Sequence, residues 1–202
     1  MTLLRTNGLI LLMAISACLL AGCSEKDPGT PSAESTTRTG TPSSGTSTTT
    51  ADSGLPELAL DTFKSDPCQL LKTDQVAELG TFKAPVKSTN EVAVQCRWGA
   101  QDVTKGATYT VAIATTEASF DSASAQAKQK FPVFTLKKVL DYPAYSADAT
   151  DAKGACTTGV GTPSKGVFLV QIIMDNEKLP EYNNPCAATE KAAEFVVKNL
   201  KG

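Results

Sequence analysis

Val167-Phe168-Leu169-Val170-Gln171-Ile172-Ile173-Met174 is apolar on nearly both faces, which is the pattern of a strand in the middle of a sheet. Upstream, Val92-Ala93-Val94-Gln95-Cys96-Arg97-Trp98-Gly99 alternates instead: Val92, Val94, Cys96 and Trp98 fall on one face, Ala93, Gln95 and Arg97 on the other. That alternation predicts a half-buried strand with Trp98 in the core and Arg97 pointing away as a surface contact. Tyr109, Val111 and Ile113 repeat the period of two after a polar, Gly-containing loop, so the two segments read as a hairpin. Weaker strands are expected near Leu140–Ala147 and Ala155–Val160, joined by an Asp/Gly turn.

Helices are marked by their starts. Asp66-Pro67-Cys68 opens a first one, with Asp66 as cap and Pro67 at the position that needs no amide donor; it restarts at Thr73 and stops at Gly80. Ser119 caps a second that runs to about Lys130. Asn184-Pro185-Cys186 repeats the Asp-Pro-Cys device before a closing helix with Ala193, Val196, Val197 and Leu200 on its apolar face. Strands follow strands through short loops, without the alternation a parallel sheet needs. The fold class is therefore α+β: an antiparallel sheet of about five or more strands flanked by helices.

The amino-terminal quarter has a different character. Gly8 to Gly22 is an apolar run shorter than the roughly 20 residues of a spanning helix, and it ends in Leu20-Ala21-Gly22-Cys23. An aliphatic residue, two small residues and a cysteine form a lipobox, so residues 1–22 read as a lipoprotein signal peptide and Cys23 as the lipidated residue. Residues 23–54 are Ser, Thr, Pro and Gly-rich and read as a disordered tether with a reach of about 30 Å. Residues 55–202 are then a single domain. On this reading the protein sits lipid-anchored on the outer face of the cytoplasmic membrane.

Cys68, Cys96, Cys156 and Cys186 remain for an extracytoplasmic domain, an even number that argues for two disulfides. Three connectivities are open, of which Cys68 with Cys96 and Cys156 with Cys186 is favoured. There is no C-x-x-C pair, and the chain has no histidine, which disfavours a redox site or an ordinary zinc site.

The lipobox, the Ser/Thr tether, Asp66-Pro67-Cys68-Gln69-Leu70-Leu71, Val76-Ala77-Glu78-Leu79-Gly80, Cys96-Arg97-Trp98 and the late Pro185-Cys186 together resemble a family of actinobacterial lipoproteins, the domain of unknown function three-five-five-eight. The resemblance covers most of residues 55–202 and implies an address and a disulfide frame, with no active site. By analogy of architecture, the order of elements suits a PsbP-like α/β/α sandwich.

Candidate chemistry is sparse. Without histidine there is no Ser-His-Asp or Cys-His arrangement. Gly159-Val160-Gly161 and the run to Gly166 match no phosphate loop and read as a hairpin turn, and Asp148 to Asp151 lacks calcium-ligand spacing and reads as a turn. Asp175, Glu177 and Glu181 are the one group of carboxylates close enough in sequence to suggest acid–base work, and are expected to be solvated. With 19 Lys and Arg against 21 Asp and Glu, a net charge of −2, nothing marks a nucleic-acid partner. The expected function is a non-catalytic binding or adaptor module at the cell envelope, not an enzyme and without cofactor or metal. Its partners would be the membrane, through Cys23, and an envelope protein or small ligand. The alternatives are a small-ligand or lipid carrier, with a cavity lined by residues such as Phe131, Phe134 and Phe168, and a carboxylate-dependent envelope hydrolase.

Overall fold

The structure, a computed structural model, describes residues 54–202. The expected signal peptide, Cys23 and all of the expected tether but Gly54 lie outside the described residues. The rest forms one seven-stranded, wholly antiparallel sheet with four α-helices, in the spatial order β1-β2-β3-β7-β6-β5-β4.

The chain enters through a short helix α1 (Leu60–Phe63), then a 3-10 turn over Pro67–Leu70 in which the Asp66 side chain accepts from the Cys68 amide. Leu71 is extended, so the helix expected from Asp66 is broken there, and α2 (Thr73–Leu79) restarts as the sequence indicates. Gly80, at φ 147°, ends it: a side chain there would strain the backbone and crowd the ring of Phe82.

Strands β1 (Val86–Thr89), β2 (Ala93–Trp98) and β3 (Thr108–Ala114) form a meander. Helix α3 (Phe120–Lys130), capped by the Ser119 hydroxyl, then carries the chain across to the far edge of the sheet. There β4 (Val133–Val139), β5 (Tyr142–Asp148), β6 (Ala155–Gly161) and β7 (Val167–Ile173) meander back, and β7 closes the sheet by pairing with β3 from Thr108↔Ile173 to Ile113↔Phe168. The run that reads as a central strand is thus the fourth of seven. Helix α4 (Pro185–Lys201) lies under β6 and β7, with Ala193, Val196, Val197 and Leu200 all buried.

Three local expectations are corrected. Val92 is outside β2 and 70 % exposed, because the Asn90 side chain turns the chain there by accepting from the amides of Val92 and Ala93. Leu140 and Asp141, both at positive φ, make the β4–β5 turn instead of opening a strand. Gly159 and Gly161 lie inside β6, and the turn follows them at Thr162–Gly166, closed by the Thr162 amide donating to the Gly166 carbonyl.

The sheet has two unlike faces. One carries Val94, Cys96, Trp98, Val111, Ile113, Phe168, Val170 and Ile172 into the main core beneath α4 and the 3-10 turn. Each disulfide ties this face to what covers it: Cys68–Cys96 pins the 3-10 turn to β2, and Cys156–Cys186 pins the start of α4 to β6. A buried hydroxyl row, Ser146 to Thr158 (3.2 Å) to Thr189 (2.7 Å), links β5, β6 and α4 and ends on the Cys186 carbonyl and on Glu190, which is ion-paired with Lys137. These polar atoms are all satisfied, which is what makes their burial tolerable. The other face is covered over β4–β6 and at Leu169 of β7, where Phe120, Ala123, Ala127 and Phe131 of α3 and its C-cap pack on Tyr145, Ala147, Phe134 and Leu169.

Candidate functional site

The disulfide pairs favoured from the sequence are those the structure bonds, and both serve the frame. Arg97 lies on the opposite face from Trp98, exposed on the half of the sheet that α3 leaves open, with Val86 and Thr110 as its cross-strand neighbours. Its guanidinium has no hydrogen-bond or ion-pair partner among the described residues. Further along this face, a shallow groove of about 390 Å³ runs between α3 and the sheet, with Ala112, Ala114, Leu169, Ala127 and Phe131 among its lining. The three phenylalanines proposed for a carrier cavity do not meet. Phe168 is fully buried in the main core, whereas Phe131 and Phe134 belong to the cluster on the other side of the sheet.

A more defined site lies at the end of the sheet where β2 finishes and β3 begins. It is a cleft of about 560 Å³ with three walls. The first is the C-terminal end of α2 and the following Gly80-Thr81-Phe82, held against the sheet by a single bridge, Phe82↔Ala100, and by the Gln101 amide donating to the Thr81 carbonyl. The second is the β2–β3 loop, where Asp102 folds the turn by accepting from the Thr104 amide (2.9 Å) and hydroxyl (2.7 Å). The third is Leu179-Pro180-Glu181, in the loop after β7. That loop is fixed by the Leu179 amide on the Asn176 carbonyl, the Tyr182 amide on Leu179, and the Gly154 amide on the Tyr182 carbonyl.

Tyr109, the second residue of β3, forms the floor. Its ring is 3 % exposed and meets Phe82 edge-on, with centroids 5.9 Å apart. Its hydroxyl has no hydrogen-bond partner among the described residues and is not sealed from the cleft. Burial pushes the phenol well above its ordinary range, and the Glu181 carboxylate adds to that rise, so Tyr109 stays neutral. Asp102 is held below the usual carboxylate range, first by the Thr104 hydroxyl and amide and then by Lys105. An acid fixed in its ionised form by a turn suits architecture better than proton transfer.

Of the carboxylates grouped in the sequence, only Glu181 lines this cleft. Asp175 and Glu177 lie beside a neighbouring depression with Asn176, Lys178 and Thr104. Glu78, from α2, joins Glu181 in the cleft and is ion-paired with Lys191 at 3.5 Å. No three acidic or cysteine side chains among the described residues gather as metal ligands would. Asp148 accepts from the Thr150 amide and hydroxyl and from the Ala152 amide, a turn as its sequence suggests. Tyr109, Phe82 and Glu78 were not legible as site residues. Tyr109 fits the core alternation of its strand, and the two others join it only through the bridge at Phe82.

A family model described as a protein of unknown function (DUF3558) matches residues 18–199. No curated protein and no solved structure matches the chain.

Proposed function

The chain belongs to the DUF3558 family, and on that premise we propose that it is a lipid-anchored envelope protein that binds its target without transforming it. The observation that carries this reading is the pair of disulfides, and the cleft supplies a place for the target. The segment leading from Cys23 joins the domain at Leu55–Pro56, where the Tyr142 hydroxyl donates to the Pro56 carbonyl and the Ala59 amide to the Leu200 carbonyl. That is the end of the sheet where β5 begins and β3 finishes, and the cleft opens at the other end. Chain entry and cleft thus lie at opposite ends of the sheet, so an attachment at Leu55 leaves the cleft unobstructed. Two disulfides in a chain of this size fit an oxidising compartment outside the cytoplasm.

The absence of histidine from the sequence and the engagement of Glu78 and Asp102 in ion pairs favour a binding role over acid–base chemistry. The test is fractionation of the full chain in a bacterium that processes lipoproteins, followed by native mass spectrometry of the extracted protein. The wild type should stay with the membrane and carry the mass of a diacylglyceryl modification on Cys23, and Cys23→Ala should move to the soluble fraction. A wild-type chain that is soluble and unmodified overturns the anchor. Turnover of an envelope substrate by the purified protein overturns the non-catalytic role.

A further inference from the structure

Resting on the binding role argued above, we propose that the cleft takes a small molecule carrying an ammonium group, seated between the Tyr109 hydroxyl and the Glu181 carboxylate. Two independent features point there. Tyr109 is a polar side chain almost wholly buried, its hydroxyl unpartnered among the described residues, at the floor of the cleft. The ring is buried while the hydroxyl reaches solvent without a protein partner, which leaves that oxygen open to a ligand atom.

The second feature is the distribution of charge. The charged side chains lining the cleft are Glu78, Asp102, Glu181 and Lys105. Lys105 is engaged by Asp102 at 3.5 Å, Asp102 is further occupied by Thr104, and Glu78 is shared with Lys191. Glu181 alone has neither an ion pair nor a side-chain hydrogen bond among the described residues, and its charge is near enough to oppose ionisation of Tyr109. A carboxylate or phosphate ligand would meet that unopposed negative charge. Glu181 is exposed at the edge of the cleft, so a neutral ligand would draw nothing from that charge. An ammonium supplies three donors, to the Glu181 carboxylate and to the oxygen of the neutral phenol, while the half-buried Phe82 ring offers an apolar surface for the stem. The volume, about 560 Å³, suits a small molecule.

The test is nuclear magnetic resonance titration of the isotope-labelled full chain in detergent micelles with butylammonium chloride, sodium butyrate and butanol at equal ionic strength. Trp98, the only tryptophan, is the cross-strand partner of Tyr109, so its indole signal reports on the site together with the amides of Phe82 and Glu181. Butylammonium should give saturable shifts there, and butyrate and butanol should not. Tyr109→Phe and Glu181→Gln should each weaken binding roughly tenfold or more, as for a hydrogen bond to a charged group. Glu177→Gln, outside the cleft, should leave it unchanged. No saturable shift up to about 10 mM butylammonium, an equal response to butyrate, or undiminished binding by both cleft variants overturns the proposal. A chain that fractionates with the membrane yet fails this titration refutes the ligand chemistry alone; one that binds butylammonium but is never lipidated refutes the anchor alone.

Discussion

Tyr109 couples the cleft to the stability of the fold. Its phenol titrates near 10 when unfolded and is pushed well above that when folded, so the folded state holds the proton more tightly. The associated stability is intact below pH 10 and is lost as pH rises beyond it. Tyr109→Phe removes that titration while keeping the ring, and its hydroxyl leaves no partner behind among the described residues. The variant should match the wild type at pH 8 and lose less stability between pH 8 and pH 11, measured as the shift in the urea midpoint. Tyr145, raised by burial in the same direction, stays in both proteins and cancels from the comparison. Gly159 is a second residue whose identity is dictated by a neighbour. A Cβ there would lie 2.4 Å from the Tyr145 ring, and one at Gly161 would lie 2.6 Å from Phe120. Gly159→Val should cost about 1–3 kcal/mol in denaturant unfolding by forcing the ring from its place under α3, and much of that loss should vanish in a Tyr145→Ala background.

At the level of elements, legibility in the sequence follows burial. β2, β3 and β7 each bury a regular row, so their residues alternate or run apolar. Helices α3 and α4 carry recognisable starts at Ser119 and Asn184-Pro185. β1 was invisible because all four of its residues are exposed at the sheet edge, so neither face imposes an apolar period. β4, at the other edge, buries only Val139 fully, and with Leu136 63 % exposed and two lysines after it no regular apolar period marks the strand. The sequence separations closed by the disulfides, 28 and 30 residues, are nearly equal. Chain entropy therefore assigns each bridge about the same worth, roughly 3.5 kcal/mol. The Cys68→Ala/Cys96→Ala and Cys156→Ala/Cys186→Ala double variants should lose stability to a similar extent in chemical denaturation. A clear inequality would show that native packing at one bridge, rather than loop closure, sets its contribution.

For the whole molecule, what could not be read was the pairing of β3 with β7. These strands lie on either side of α3 and three intervening strands, and no local pattern records which edge of the first meander receives the second. The cleft shares that origin: its walls come from α2, the β2–β3 loop and the loop after β7, brought together only when the two meanders join. Fold class was legible because it depends on the sequence of element types; the site was not, because it depends on their long-range arrangement.

The two disulfides are consecutive along the chain, neither nested nor crossed. In a polypeptide that leaves a membrane channel amino end first, Cys68 and Cys96 are both outside before Cys156 appears. The native partner is then the only other domain cysteine on offer at each stage. Oxidation in order of emergence gives the correct pairing without reshuffling, and the 3-10 turn is covalently tied to β2 before β7, the strand that must dock beside β3, has arrived.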